Sequence, residues 1–208
     1  MSTSTLHFSP PDDSEELARA EVYGLLARLF HAPPSAELHE NLKVAVTVAP
    51  APGGFLEANW SVLVAASRRL SLGEVGDEYV ALFQGIGKPE IFLYGSHFIA
   101  GHLNERPLVE LRHDLAALGL ERPRGVLQTE DHMAGLCEVM RYLIAGDDAG
   151  VSNLSRQQHF FHCHLRAWNE VLWDTITAHP RADFYAAVAG FARDFFAVEA
   201  QGFDLLEA

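Results

Sequence analysis

The segment EVGDEYVALFQGI, residues 74–86, places its large apolar side chains on one face of a helix. These residues are Val75, Tyr79, Leu82, Phe83 and Ile86. Their spacing follows the helical period of 3.6 residues and not the strand period of two. Glycines at positions 85 and 87 and a proline at position 89 then end the helix. The segment therefore predicts an amphipathic helix followed by a loop.

Apolar stripes of the same period recur on both sides of this segment. They predict helices that begin near Asp13, Ser35, Phe55, Glu74, Pro107, Thr129, Leu154 and Asp183. The one from Leu154 is expected to run unbroken to Ala178. The stretch VAVTVA, from Val44 to Ala49, alternates as a strand does, but we interpret it as a helix end because no partner strand is visible. The fold class predicted is all-α, a compact globular bundle of about eight helices.

The sequence predicts two parts, an N-terminal arm and one domain. Residues 1–12 are polar and contain prolines, so we expect a flexible N-terminal arm. Residues 13–208 are expected to form a single all-helical domain. The longest irregular segment, residues 85–105, contains the aromatic residues Phe92, Tyr94 and Phe98.

The charge balance excludes several classes of partner. The chain has 15 basic and 28 acidic residues, a formal net charge of −13. Nucleic acids and anionic membrane surfaces are bound through positive patches, so we expect neither partner. An acidic surface favours basic partners instead.

Location is inferred from what the sequence lacks. The first residues do not form a secretory signal, and no apolar run is long enough to cross a membrane. Two cysteines, Cys137 and Cys163, do not make a disulfide framework. These observations predict a cytoplasmic protein without membrane insertion.

Motifs for simple catalysis are missing. The sequence has no GxxxxGK[ST] loop, no GxGxxG after a strand and no HExxH. A single ExxH pair, Glu110 and His113, falls short of the two that a di-iron bundle needs, and we interpret it as a solvated surface pair. We expect no enzyme and no cofactor.

One cluster leaves an alternative open. The string HFFHCH places His159, His162 and Cys163 on one helix face, with His164 beside them. Nitrogen and sulfur ligands at this spacing suit zinc or copper. A structural zinc site usually closes with ligands from a second segment, and no second cluster is evident. The alternative hypothesis is a helical metal-binding protein.

The segment QTEDHMAGL, residues 128–136, is the most informative local signal. Thr129 is predicted to cap a helix, with Glu130, Asp131 and His132 in its first turn. Capping does not explain His132. An exposed Asp-His pair at a helix start is a good anchor for a cationic group.

The ordered set of these segments resembles the TorD/DmsD/NarJ-like family of redox-enzyme maturation chaperones. The resemblance runs from about residue 15 to residue 199. It rests on YGLLARLFHAPP (23–34), EYVALFQGIGKP (78–89), IFLYGSHF (91–98), LRHDLAALGL (111–120), TEDHMAGLCEVMRYL (129–143), QQHFFHCHLRAW (157–168) and FYAAVAGFARDFF (184–196). Within this set His164 matches a family position in a helix.

The resemblance implies a function. Members of this family are cytoplasmic, all-helical and non-catalytic, and they bind the precursor or catalytic subunit of a molybdopterin-dependent oxidoreductase. Many recognise a twin-arginine leader and hold the precursor until its cofactor is inserted. The resemblance also leaves the oligomeric state open, a monomer or a domain-swapped dimer. Guanine-nucleotide binding, proposed within the family, finds no phosphate-cradling loop here.

The resemblance implies peptide-binding residues at the positions where the sequence matches the family motifs. They are Tyr79, Leu82 and Phe83 of the first motif, Tyr94 and Ser96 of the loop, and Asp131 and His132 of the D-H pair, with Glu130 beside it. The chain departs from the family at two places. Thr129 and Glu130 stand near the usual Glu-Pro, and the loop before Tyr94 lacks the frequent proline.

These residues lead to a specific hypothesis. A twin-arginine leader has a cationic pair followed by an apolar stretch, so its receptor needs an acidic rim and an apolar groove. We expect Asp131 to pair with a leader arginine and His132 to fix that carboxylate. Tyr94, in a loop, is expected to be an exposed contact.

Overall fold

The described part of the chain forms ten α-helices. The structure is a computed structural model that describes residues 13–47, 56–85, 87–103, 106–123, 125–148 and 150–206, so the predicted N-terminal arm lies outside it. The helices are α1 (Asp13–His31), α2 (Ala36–Val44), α3 (Glu57–Arg69), α4 (Leu72–Tyr79), α5 (Gly95–Ala100), α6 (Arg106–Ala117), α7 (Met133–Ala145), α8 (Leu154–His164), α9 (Asn169–Thr177) and α10 (Phe184–Asp204). A π-helical turn, Val80–Gln84, continues α4.

The all-α prediction is confirmed. Among the residues described there is no β-strand, and the one isolated β-bridge joins Tyr94 to His132. Ten helices replace the predicted eight for two reasons: a short helix forms inside the segment expected to be irregular, and the predicted long helix is divided in two.

The division of the long helix follows from its side chains. Residues 165–168 form a turn between α8 and α9. Trp168 Nε1 donates to the His164 carbonyl at 2.7 Å, and Asn169 Nδ2 donates to the Leu165 carbonyl at 3.0 Å. These side-chain donors satisfy carbonyl groups at the break, and the turn leaves the Trp168 indole buried. The prediction of one unbroken helix to Ala178 was wrong.

The short helix α5 depends on that indole. The ring of Phe98 stacks on Trp168 with 5.5 Å between centroids and 18° between planes. A Cβ at Gly95 would lie 3.1 Å from Trp168 Nε1, closer than most such contacts. A glycine at the first residue of α5 therefore lets the helix approach the tryptophan.

Among the described residues of the VAVTVA stretch, Val44 alone is helical, and Val48 and Ala49 lie outside the part of the chain that the structure describes. The helix α2 ends at Val44, and Ala45 has an extended backbone. The Arg68 side chain donates to the carbonyls of Lys43 and Ala45 at 2.8 and 3.1 Å. Trp60 Nε1 and the Ser61 hydroxyl of α3 donate in the same way to the carbonyls of Val46 and Thr47. Residues 45–47 therefore follow a non-helical path beside α3, and the prediction of a helix beyond Val44 was wrong for these residues.

The long helices α1 and α10 make the main packing contacts of the bundle. The helix α1 packs along α7, and α10 packs along α9 and α3. Arg19 of α1 donates from Nε and Nη2 to the Glu199 carboxylate of α10 at 2.6 and 2.8 Å. Tyr23 adds a third hydrogen bond to Glu199 at 3.0 Å. A largely buried charged pair thus joins α1 to α10.

The helix α10 begins on a carboxylate from α4. The Glu78 side chain accepts hydrogen bonds from the backbone N–H groups of Asp183, Phe184 and Tyr185 at 2.8 to 3.0 Å. A carboxylate suits this place because the first N–H groups of a helix have no partner within it. In the part of the chain that the structure describes, no helix is both long and apolar enough to cross a bilayer.

Candidate functional site

The first predicted binding motif lies in the core. Tyr79, Leu82 and Phe83 are 3%, 0% and 9% exposed. The Tyr79 hydroxyl donates to the Phe30 carbonyl at 3.0 Å, and the Phe83 ring meets Tyr185 edge-on at 5.0 Å between centroids. The motif therefore supports the site from beneath and presents little surface to a peptide.

The π-helical turn joins this motif to the next. The Gly85 N–H bonds to the Val80 carbonyl at 2.8 Å, five residues back, and the Leu82 carbonyl accepts from Ile91 N–H at 2.9 Å. Gly85 has φ of 59°, a left-handed conformation that favours glycine. The chain is turned here toward the loop that contains Tyr94.

Two predicted motifs meet through their backbones. Met133 N–H donates to the Leu93 carbonyl at 2.8 Å, and Gly95 N–H donates to the Asp131 carbonyl at 3.0 Å. The rings of Tyr94 and His132 pack edge to face at 4.9 Å. We call this pairing of residues 93–96 with residues 129–133 the junction. The sequence placed both segments in one site, and the structure brings them together.

Asp131 holds the junction closed. One carboxylate oxygen, Oδ2, accepts from the Ser96 N–H at 2.9 Å and from the Ser96 hydroxyl at 2.5 Å. The other, Oδ1, accepts from the Thr129 hydroxyl at 2.6 Å. Asp131 is 3% exposed, so the predicted exposed Asp-His pair is not formed. Both carboxylate oxygens of Asp131 are therefore engaged within the protein.

His132 begins the helix α7. Its Nδ1 accepts from the Ala134 N–H at 3.2 Å, so His132 is the N-cap, and the prediction that Thr129 caps this helix was wrong. Glu130 and Asp131 accordingly precede the helix. Burial, reinforced by the nearby His31, lowers the pKa of His132 to about 4. The imidazole is therefore neutral near pH 7, and its Nε2 carries the proton because Nδ1 is the acceptor.

An apolar groove runs beside the junction. It is a cavity of about 390 Å³ between α7, the end of α1 and the loop that follows α6. Its lining residues are His31, Leu115, Leu120, Glu121, Arg122, Pro123, Val126, Gln128, Thr129, Glu130, His132, Ala134, Gly135, Glu138, Val139 and Tyr142. We call this cavity the groove. Small residues at positions 134 and 135 form part of its floor, and three glutamates stand among its lining residues.

A smaller cavity adjoins the groove. It measures about 190 Å³ and shares His31, Gln128 and His132 with the groove. Tyr94 and Phe92 line it, and both are partly exposed. Four predicted residues line this cavity: Tyr79, Phe83, Tyr94 and His132. Tyr94 is the most exposed of the four, while Ser96 is fully buried on Asp131.

Glu130 is the most buried of the three glutamates that line the groove. Its side chain is 13% exposed. Its Oε2 accepts from Arg112 Nε and Nη2 at 3.0 and 2.9 Å, and its Oε1 lies 3.5 Å from Arg122 Nε. Burial by itself would raise the pKa of Glu130, but the Arg112 hydrogen bond and the two positive charges hold the pKa below its usual value. Glu130 is ionised at neutral pH.

Only part of the histidine cluster comes together, since His159 approaches both Asp114 and Cys163, with 3.8 Å between its Nδ1 and Cys163 Sγ, and His162 lies elsewhere. His164 Nε2 lies 2.7 Å and His159 Nε2 lies 3.4 Å from Asp114 of α6, whereas His162 lies near Asp204 at the end of α10. Cys163 is exposed, and no group of three His, Cys, Asp or Glu residues in the described part of the chain is arranged to hold a metal ion. The predicted set of His159, His162 and Cys163 therefore lacks the geometry of a site.

Several groove residues were not predicted. Residues 120–123, 126 and 128 form one wall of the groove, and His31 lies at its α1 end. Arg112 lies outside the groove and pairs with Glu130. These residues come from separate segments, and nothing in their local spacing links them. One signal was present: Ala134 and Gly135 are small residues in an otherwise bulky helix. Such a pair allows another chain to approach a helix closely.

The comparison with known families covers the junction and most of the groove. A model described as nitrate reductase delta subunit matches residues 52–173 of the chain. The match includes the π-helical turn, the loop with Tyr94, α6 and α7. A search of curated proteins found no match. Because the matched span is well over half of the 208 residues, the chain belongs to the nitrate reductase delta subunit family of redox-enzyme maturation chaperones.

Proposed function

We propose that this protein is a cytoplasmic chaperone that binds an apo molybdoenzyme subunit through an apolar, basic segment and keeps it available for cofactor insertion. Family membership supports the kind of client. The observation that carries the binding mode is the groove, a cavity of about 390 Å³ with a largely apolar lining and with Glu121, Glu130 and Glu138 among its residues.

The chemistry of the groove fits one occupant. An extended or helical segment places apolar side chains on Ala134, Val139 and Val126, while a nearby lysine or arginine meets a glutamate. The net charge of −13 favours the approach of such a basic segment. Twin-arginine leaders and basic N-terminal segments of catalytic subunits share this chemistry.

The expected affinity is moderate. Burying two or three apolar side chains contributes roughly 5 kcal/mol, and ordering a flexible peptide costs several kcal/mol of it. Contacts with the folded part of the client are then needed for tight binding, since linked sites act at a high effective concentration. The groove is therefore assigned to a recognition segment and not to the whole client.

The backbone pairing of the junction supports this use of the groove by positioning side chains that border it. It fixes His132, whose ring lies between the groove and the smaller cavity. Nδ1 is engaged by Ala134, and the imidazole ring makes no other hydrogen bond to the described residues, so its Nε2–H is free to donate to a peptide carbonyl. His132, Tyr94 and Glu130 are the members of the predicted set that we retain as client contacts.

The test is affinity purification of the tagged protein from its native cells, grown under conditions where molybdoenzymes are expressed. We expect a molybdopterin-dependent catalytic subunit to be identified by mass spectrometry. A matched bait with Val139→Asp, which places a charge in the groove, should recover much less of it. Recovery of no such subunit by the wild-type bait would refute the proposed function.

A further inference from the structure

The groove already contains a guanidinium from the chain itself. Arg122 lies in the loop after α6 and lines the groove. Its Nη1 donates to the carbonyls of Val126 and Gln128 at 3.1 and 3.2 Å, and its Nε lies 3.5 Å from Glu130 Oε1. The side chain thus connects one wall of the groove to the carboxylate of Glu130.

The two arginines on Glu130 are not equivalent. Arg112 makes two hydrogen bonds to Oε2 and does not line the groove. Arg122 makes only the longer approach to Oε1, from inside the groove. One oxygen of the carboxylate is therefore firmly held from outside, and the other faces the groove with a weakly bound cation.

We propose that Arg122 occupies the position that a client cation takes, so that binding exchanges one guanidinium for another on Glu130 Oε1. This inference rests on the proposed function and adds a specificity rule to it. An apolar segment without a strong cation cannot displace Arg122 from Glu130. A segment with an arginine beside its apolar run replaces that pair and keeps Glu130 neutralised.

The exchange should change the free energy of the Glu130 ion pair little, because the two states have the same chemistry. Both states have a guanidinium on the same carboxylate oxygen, so Glu130 is never left as an unpaired, mostly buried charge. When displaced, Arg122 is free to reach water because its side chain is already 36% exposed. Arg112 stays in place throughout and keeps Glu130 oriented.

Two peptides and two matched variants test the exchange. The probes are fluorescent 20-residue peptides with the same leucine-rich run, preceded in one by Arg-Arg and in the other by Gln-Gln. Their affinities are measured by anisotropy with the full chain, with Arg122→Ala and with Arg106→Ala. Arg106→Ala is the control because this substitution removes the same charge from an exposed position of α6, where Arg106 pairs with Glu110.

We expect Arg122→Ala to bind the Arg-Arg peptide about threefold more tightly, the size of an exposed ion pair, and to leave Gln-Gln binding unchanged. Arg106→Ala should change neither affinity. Glu130→Gln should weaken the Arg-Arg peptide about tenfold, because it removes the charged acceptor. Arg122→Gln repeats the test with a neutral side chain that retains an N–H donor.

The outcomes separate the exchange from the function. If both Arg122 variants bind the Arg-Arg peptide as the wild type does, or more weakly, the exchange is overturned while peptide binding stands. Equal tightening of both peptides would overturn it too, since that is a general charge effect. Binding of neither peptide to any protein would overturn both the exchange and the assignment of the groove.

Discussion

Asp131 and Glu130 are neighbouring carboxylates with opposite uses. Asp131 lies inside the junction, 3% exposed, with both oxygens bonded to Ser96 and Thr129. Glu130 lies at the groove, where one oxygen is held by Arg112 and the other faces a loosely bound Arg122. A saturated buried carboxylate stabilises a fold, whereas a partly paired one at a cavity binds ligands. The more conspicuous motif residue is thus engaged inside the protein, and under the proposed function its neighbour is the one that contacts the client.

The strongest test of this difference is removal of the Asp131 carboxylate. Asp131→Ala breaks three hydrogen bonds to a buried charge and leaves the Ser96 N–H without a partner, so the free energy of unfolding should fall by about 4 kcal/mol. Chemical denaturation followed by circular dichroism measures it. Asp77→Ala removes a carboxylate from an exposed position of α4 and should cost less than about 0.5 kcal/mol. Normal stability with lost client binding would instead assign Asp131 to the contact surface.

The second test measures how the stability of the protein falls in acid through His132, a residue of the junction. The pKa of His132 is lowered to about 4 in the folded protein, below its ordinary value. As the pH falls from about 6.5 toward 4, the unfolded chain binds this proton first, so stability is lost in that window and is fully present above it. Between pH 7 and pH 4.5 the loss assigned to His132 is about 2 kcal/mol.

The variant His132→Asn separates the loss of stability caused by His132 from losses caused by other titrating groups. Asparagine is also a good N-cap, so the start of α7 is retained while the titrating group is removed. Denaturation curves at pH 7 and at pH 4.5 should show a smaller drop for the variant than for the wild type, by about 2 kcal/mol. Identical drops in the two proteins would mean that His132 is not held neutral by the junction.

The smallest effect is expected at the groove wall. Val126 lines the groove, and the adjacent Leu127 is 92% exposed and does not. Val126→Ser should leave stability within about 0.5 kcal/mol and weaken the Arg-Arg peptide about threefold, since it removes part of one apolar contact. Leu127→Ser is the matched control and should bind as the wild type does. A stronger effect at Leu127 would place the peptide on the outside of the loop.

The sequence predicted helices better than surfaces. The period of Val75, Tyr79 and Leu82 is a local property, and it located α4 correctly. The same period does not say whether the apolar face meets the core or a ligand, because that depends on α10 and on the loop with Tyr94. Burial of Asp131 was beyond prediction for the same reason, since its partner Ser96 is 35 residues away.

The breaks between helices show another limit. Residues 164–169 contain neither proline nor glycine, so nothing local ended the predicted helix there. The turn exists because Trp168 packs on Phe98 of α5, a contact between distant segments. The groove shares this origin: it is a space between α1, α7 and a loop, and no single segment encodes it.

The pairing of Arg19 with Glu199 also bears on how the chain is made. The two residues are 180 positions apart, so α1 leaves the ribosome long before α10 is synthesised to cover it. Until then, the side of α1 that α10 covers stays open, and completion of the fold waits for the last long helix. Such distant pairing slows folding and prolongs exposure of apolar surface. A member of a maturation-chaperone family thus passes through a lengthy incomplete state of its own.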